Sequence, residues 1–257
     1  MILCFDIGNT NITIGAYSHD TPLFIARIAT DLHKMQDEYA VLLRSIISVN
    51  GLVIGDITGA IISSVVPGVT GNIREAIKKL NDVTVLTVGP GIKTGLDIKI
   101  DDPSTLGGDL VCVAVAALEK YKVKPAVVVD LGTATKIVAI DRSGSLIGGS
   151  FLPGMKIAMD ALSTRTALLP HVGLETPSRL IGSNTIDSMR SGIMYGTASM
   201  VDGMIVKYKR ELGDDLTAIM TGGLSKEIAP LCEEQLIYDD NLIMDGLRAL
   251  YQKNTQS

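Results

Sequence analysis

Two short runs in this chain carry the residue types that hold phosphate: Asp6-Ile7-Gly8-Asn9-Thr10-Asn11 and Asp130-Leu131-Gly132-Thr133-Ala134-Thr135. Each ends an apolar run with a carboxylate, sets a glycine two residues later and follows it with hydroxyl-bearing residues. Glycine lets a backbone approach a ligand closely, and short polar side chains with exposed N–H groups form a concavity that suits phosphate oxygens. Asp6 stands where a carboxylate can hold Mg²⁺ through water. A strand rather than a helix follows the first run, which makes it a tight β-hairpin and not a strand-to-helix phosphate loop. A plain β-turn satisfies that run alone, because Gly-Asn is a common turn pair. Its repetition in the same strand-end context favours two facing hairpins that clamp a nucleotide's phosphates in a cleft between two domains. Near the end of the chain, Thr217-Ala218-Ile219-Met220-Thr221 runs into Gly222-Gly223. Paired glycines can lie flat against a planar base, or simply meet a need for positive φ.

The elements that must position these residues follow from hydrophobic period. Strands are expected at 2–6, 12–17, 22–28, 58–64, 83–87 and 217–221, with helices at 36–49, 68–79, 104–120, 154–163, 185–211 and 241–252. A second unit opens at Ala126 with a strand, continues through Ile137 to Asp141, turns at Ser143-Gly144 and enters another strand near Leu146. This order copies the start of the chain, the mark of an internal duplication. The break between halves falls near residues 120 to 125, dividing the chain into domains 1–122 and 123–257. The polar end from Gln252 to Ser257 reads as frayed.

Composition excludes several classes. With 257 residues, 46% of them hydrophobic, the chain can bury a substantial core. A net charge of −5 without a basic block gives no electrostatic footprint for nucleic acid or an anionic membrane. The N-terminus lacks the basic region and cleavage site of a signal peptide, and no apolar stretch approaches the ~20 residues of a membrane span. Cys4, Cys112 and Cys232 show no paired spacing and read as buried thiols of a reducing cytoplasm. His19, His33 and His171 have no ligand partners at metal spacing, and the methionines read as core filling.

The two loops and the late Gly-Gly, in this order, resemble the superfamily of sugar kinases, heat-shock ATPases and actin. Within it, Gly89-Pro90-Gly91-Ile92-Lys93-Thr94-Gly95-Leu96, Gly107-Gly108-Asp109, Pro153-Gly154-Met155, Ile181-Gly182-Ser183-Asn184-Thr185 and Ser191-Gly192-Ile193-Met194-Tyr195-Gly196 resemble type III pantothenate kinases. The resemblance spans nearly the whole chain. It implies an α/β fold of two duplicated actin-like ATPase (ribonuclease H-like) domains, with mixed β-sheets flanked by helices and the nucleotide in the interdomain cleft. It implies ATP-dependent phosphorylation of the primary hydroxyl of pantothenate to 4′-phosphopantothenate, the first step of coenzyme A biosynthesis, by a cytoplasmic homodimer.

Carried onto this sequence, the resemblance assigns ATP to Asp6, Gly8, Asn9, Thr10, Asn11, Gly132, Thr133, Gly222 and Gly223, with Mg²⁺ held by Asp6 through water. Asp109 matches the general base, whose carboxylate accepts the proton of a weakly nucleophilic alcohol as the phosphoryl group transfers. A first-turn carboxylate that complements the helix dipole has the same sequence signature. Asp130 matches a monovalent-cation position, for K⁺ or NH₄⁺. Ile100, Gly107, Gly108, Leu110 and Thr185 fall at acceptor positions, although Asn184-Thr185 also suits a helix cap. Two of these depart from the family pattern. Leu110 replaces an Arg that helps bind the acceptor carboxylate, a charge-assisted bond of about 1.5–3 kcal/mol. Ile100 replaces a Tyr. Lys99 or Lys136 is expected to supply positive charge in compensation, and a regulatory ATP-binding paralogue or a kinase for another small alcohol are the competing readings.

Overall fold

The structure, a computed structural model, describes residues 1–255. It forms two compact units, one of Met1–Gly95, Asp102–Lys120 and the segment from Leu242, the other of Leu96–Asp101 and Tyr121–Asn241.

In the first unit an antiparallel meander of β1 (Ile2–Ile7), β2 (Asn11–Ser18) and β3 (Thr21–Ala29) is extended by two parallel strands, β4 (Gly59–Ser64) and β5 (Val85–Thr87), in the order β3-β2-β1-β4-β5. The connections are α1 (Gln36–Val49) and α2 (Pro67–Leu80). Successive side chains of a strand point to opposite faces. Leu3, Phe5 and Ile7 of β1 therefore join Tyr39, Leu43 and Ile47 of α1 and Val69, Ile73 and Ile77 of α2 in one core, all buried. Helical spacing of four or so residues aligns each of those helix triads on one stripe. Cys4 and Asp6 point to the other face, where α3 (Gly108–Ala116) packs on β4. Every α3 residue from Leu110 to Ala116 is buried, as expected for a helix with no polar stripe.

The second unit repeats this plan. An antiparallel meander of β6 (Ala126–Leu131), β7 (Ala134–Ile140) and β8 (Leu146–Pro153) is followed, after α4 (Met155–Arg165) and α5 (Thr185–Leu212), by β9 (Thr217–Thr221), α6 (Ser225–Ile228) and β10 (Ile237–Tyr238). The sheet order is β10-β9-β6-β7-β8, with β9 parallel to β6 and β10 parallel to β9. Val127, Val129 and Leu131 of β6 and Ile137 of β7 face Met194, Ala198, Val201 and Ile205 of α5. Both units thus have a meander whose first strand gains two parallel neighbours, the duplication expected from the sequence, seen here as topology. In each, the polar residues of interest collect at the carboxyl ends of the central strands, where ligands of open α/β sheets bind.

The chain then returns to the first unit. Helix α7 (Leu242–Thr255) buries Leu242, Met244, Leu247 and Leu250 against α3, β1 and β4, so the units are discontinuous in sequence where two contiguous halves, 1–122 and 123–257, are expected. Residues 252–255, expected to fray, are helical: Asn254 Nδ2 donates to the Lys93 carbonyl and its Oδ1 accepts from Lys93 N, each at 2.8 Å. The remainder of that tail lies outside the described residues. The helix expected from Ser104 starts only at Gly108, because the Asp102 carboxylate accepts from Ser104 N at 3.0 Å and closes a separate turn over Pro103–Thr105. No helix of the described residues is long and apolar enough to cross a membrane.

Candidate active site

Gly8 to Asn11 form the β1–β2 turn, closed by Gly8 N donating to Asn11 O at 3.0 Å. The turn is anchored by Thr30 at the end of β3, whose Oγ1 donates to Gly8 O at 2.6 Å and whose N donates to Thr10 O at 2.9 Å. Asn9, Thr10 and Asn11 stay exposed while Asp6 is half-buried. Ladder register sets Asp6 opposite Ser63 of β4, a fully buried serine. Two glycines let the start of α3 settle here. A Cβ on Gly108 would stand 3.2 Å from both Ser63 Oγ and Val88 Cγ1, and one on Gly107 would stand 2.4 Å from Asp109 Oδ1. Asp109 is the second residue of α3, half-buried, with its carboxylate turned back over the Gly107 cap. Burial pushes the Cys112 thiol well above its ordinary value, and the charges of Asp6 and then Asp109 add to that push. Ser63, opposite Asp6 and against Gly108, brings the start of α3 and Asp109 with it to the same strand ends of the first unit.

The second loop is tighter by one residue, since Leu131 pairs with Thr135 across Gly132, Thr133 and Ala134. Two glycines let other segments pack closely against it. A Cβ on Gly154 would meet Thr133 O at 2.1 Å and Gly132 O at 2.7 Å, and one on Gly222 would meet Asp130 Oδ1 and Leu131 N at 2.6 Å. Gly222 also adopts φ +103°, open to glycine at no steric cost. Gly154 is thus packed backbone to backbone on Gly132–Thr133, and Gly222 on the Asp130–Leu131 end of β6, with Gly223 exposed beyond it. Asp130, the last but one residue of β6, is paired with Lys136, Nζ to Oδ2 at 3.0 Å.

Thr185 opens α5, whose cap is Asn184: its Oδ1 accepts from Asp187 N at 2.9 Å. It lines an open cavity of about 560 Å³ with Leu162, Leu169, Ser183, Ser188 and Met189. Ile100, Gly107, Gly108, Asp109 and Leu110 do not line that cavity. Ser183 and Ser188 are lining groups that the sequence-based site assignment left out; their places one residue before and four residues after the Asn184 cap were the available signal. Among the described residues no three His, Cys, Asp or Glu side chains gather as a metal cage. A single carboxylate such as Asp6 still suits Mg²⁺, which takes one or two carboxylates and otherwise phosphate oxygens and water.

A family model described as type III pantothenate kinase matches residues 2–207. A type III pantothenate kinase of Halalkalibacterium halodurans is 43% identical over 254 residues, covering 99% of this chain and all of the relative. One of an Exiguobacterium species is 41% identical, covering 99% of each. The chain belongs to the type III pantothenate kinase family. Component A of the (R)-2-hydroxyglutaryl-CoA dehydratase of Acidaminococcus fermentans shares the fold, with a TM-score of 0.56 at 14% identity over 97% of this chain and 96% of that one. In this type III pantothenate kinase the structure places the two residues expected to depart from the family pattern. Leu110 is 5% exposed and packs within α3, and Ile100 is half-buried in the second unit. Lys99 is engaged by Asp97 at 3.5 Å and Asp141 at 3.6 Å, and Lys136 by Asp130, so both lysines expected to compensate already face carboxylates.

Proposed function

We propose that this protein transfers the γ-phosphoryl group of ATP to the primary hydroxyl of pantothenate, giving 4′-phosphopantothenate, the first step of coenzyme A biosynthesis. The observation that supports this most strongly is that Ser63 stands opposite Asp6 in the ladder and against Gly108, the residue before Asp109, so that two half-buried carboxylates come to the strand ends of a family member's first unit.

In this reading the backbone N–H groups and short side chains of Gly8, Asn9, Thr10 and Asn11 take phosphate oxygens, as do Gly132 and Thr133 in the second unit. Gly222 and Gly223 present a flat backbone to the adenosine. Asp6 holds Mg²⁺ through water, which neutralises charge developing on the phosphoryl oxygens. Asp109, in the first turn of α3, accepts the proton of the acceptor alcohol. Gly107 and Gly108 let the acceptor approach that carboxylate. Thr185, expected at the acceptor, and Ser188 offer hydroxyls at the amino end of α5, an end that favours an anion.

The second unit exposes Phe151, Ile157, Leu168, Ile181 and Ile186, apolar side chains that fit burial in a homodimer. The acidic net charge of −5 fits a cytoplasmic enzyme without nucleic-acid or membrane partners.

A coupled ADP-release assay with MgATP tests the reading. Release that depends on pantothenate, with light scattering reporting a dimer, is the expected result. Folded protein that binds MgATP yet releases no ADP at millimolar pantothenate would turn the assignment towards another alcohol or a regulatory role.

A further inference from the structure

Asp130 and Lys136 stand directly opposite each other across the β6–β7 hairpin, in the pair just outside the Leu131–Thr135 pair that closes the second loop. They share a sheet face, because the alternate residues Val129 and Ile137 both turn towards α5. Lys136 Nζ lies 3.0 Å from Asp130 Oδ2, with the side chains 21% and 14% exposed. The ladder fixes the Lys136 backbone opposite Asp130, within the reach of its side chain. The carboxylate has little room to turn away, since the glycine backbone at 222 comes so close that a Cβ there would sit 2.6 Å from Asp130 Oδ1.

The family resemblance expects K⁺ or NH₄⁺ at Asp130, and these residues do not suit such an ion. The lysine terminus is itself a substituted ammonium, a compact point charge with three donors. A second monovalent cation on the same carboxylate would sit within a few ångströms of it, where like charges repel strongly in partly buried surroundings. We propose that Lys136 is the built-in cation of this site, so that the protein binds MgATP without a monovalent cation. The inference rests on reading Gly132-Thr133 as a phosphate loop, and it concerns the cation, not the acceptor.

The test is calorimetric titration of the full chain with MgATP, in K⁺ buffer and in tetramethylammonium buffer of equal ionic strength, for wild type, Lys136→Met and Lys136→Arg. Wild type and Lys136→Arg are expected to hold the same Kd in both buffers, to within about twofold. Lys136→Met is expected to weaken by about tenfold or more without K⁺ and to recover when K⁺ or NH₄⁺ is added. Thermal melts report whether each variant is folded. Thallium(I) NMR on wild type alone gives a second readout, with no saturable shift expected. K⁺ tightening the wild-type Kd tenfold, saturable thallium binding to wild type, or a folded Lys136→Met as indifferent to K⁺ as wild type would each overturn the proposal. Loss of MgATP binding in every buffer overturns the phosphate-loop reading and the inference with it. K⁺-independent MgATP binding without pantothenate turnover supports the inference and removes only the acceptor assignment.

Discussion

A Cβ on Gly246 of α7 would lie 2.0 Å from the backbone oxygen of Cys112 in α3. The two helices meet backbone to backbone at that point, and α3 is the helix whose first turn carries Asp109. Gly246→Ala therefore sets two effects against each other. In a free helix interior, alanine is favoured over glycine by roughly 0.5–1 kcal/mol. Here the methyl must push α7 off α3, an overpacking of about 1–3 kcal/mol that outweighs the propensity gain. Denaturant unfolding is expected to show a net loss of stability; a gain would mean that the helices separate at no cost.

Asp109→Asn keeps the size of the side chain and its place over the Gly107 cap but removes the proton acceptor. We expect kcat to fall by about 10²- to 10⁴-fold. MgATP binding should persist, and loss of the helix-end charge should cost only about 0.3–1 kcal/mol of stability. Single-turnover kinetics beside a thermal melt separate these outcomes. A kcat within threefold of wild type would leave Asp109 as a capping carboxylate and no more.

The three cysteines give a prediction about reactivity. Burial raises the Cys4 thiol far above its ordinary value and pushes Cys232 up to about 12, with the charge of Asp202 adding to the latter. Cys112 is likewise raised, and both Cys4 and Cys112 are fully buried. Thiolate is the reactive species, so at pH 8 the native protein should resist iodoacetamide at all three sites. Intact-mass measurement should show three adducts in denaturant and essentially none without it.

Why some of this was legible in the sequence and some was not follows from particular residues. The short apolar runs Leu3-Cys4-Phe5 and Val127-Val128-Val129, each closed by an aspartate, revealed the central strands and placed both aspartates near strand ends. The four-residue spacing of Tyr39, Leu43 and Ile47 revealed α1. A period identifies an apolar face but not what covers it, and so the return of Leu242, Leu247 and Leu250 to the first unit was hidden. Ile237–Tyr238 is too short to show a period at all. The start of α3 was masked by Asp102, whose cap on Ser104 makes a turn that sequence spacing cannot tell from a helix's first turn. The Asp130–Lys136 pair was readable in principle, since residues flanking a hairpin loop symmetrically face one another. It went unused because the loop length, and with it the register, was unknown.

The β7–β8 turn offers a pH-dependent handle on the second unit. Asp141 Oδ1 accepts from Ser143 Oγ at 2.6 Å, Ser143 N at 2.8 Å and Ser145 N at 2.9 Å. The Ser143 hydroxyl, then the Ser145 N–H, hold the Asp141 carboxyl down to about 2, from an ordinary 3.8. A carboxylate whose pKa is lower folded than unfolded contributes stability that is fully present above the unfolded value. That contribution is lost as pH falls from about 4 towards 2. The same turn leads into Leu146, which pairs with Ile98, so it helps hold the 96–101 segment to the second unit. Urea midpoints measured from pH 5 down to 2 should therefore fall more steeply for wild type than for Asp141→Asn, whose neutral amide keeps the shape of the turn without titrating. The other carboxylates are common to both proteins and cancel in the difference. Parallel curves would mean that the Ser143 and Ser145 hydrogen bonds survive unfolding or contribute nothing, and that the turn is held by its backbone alone.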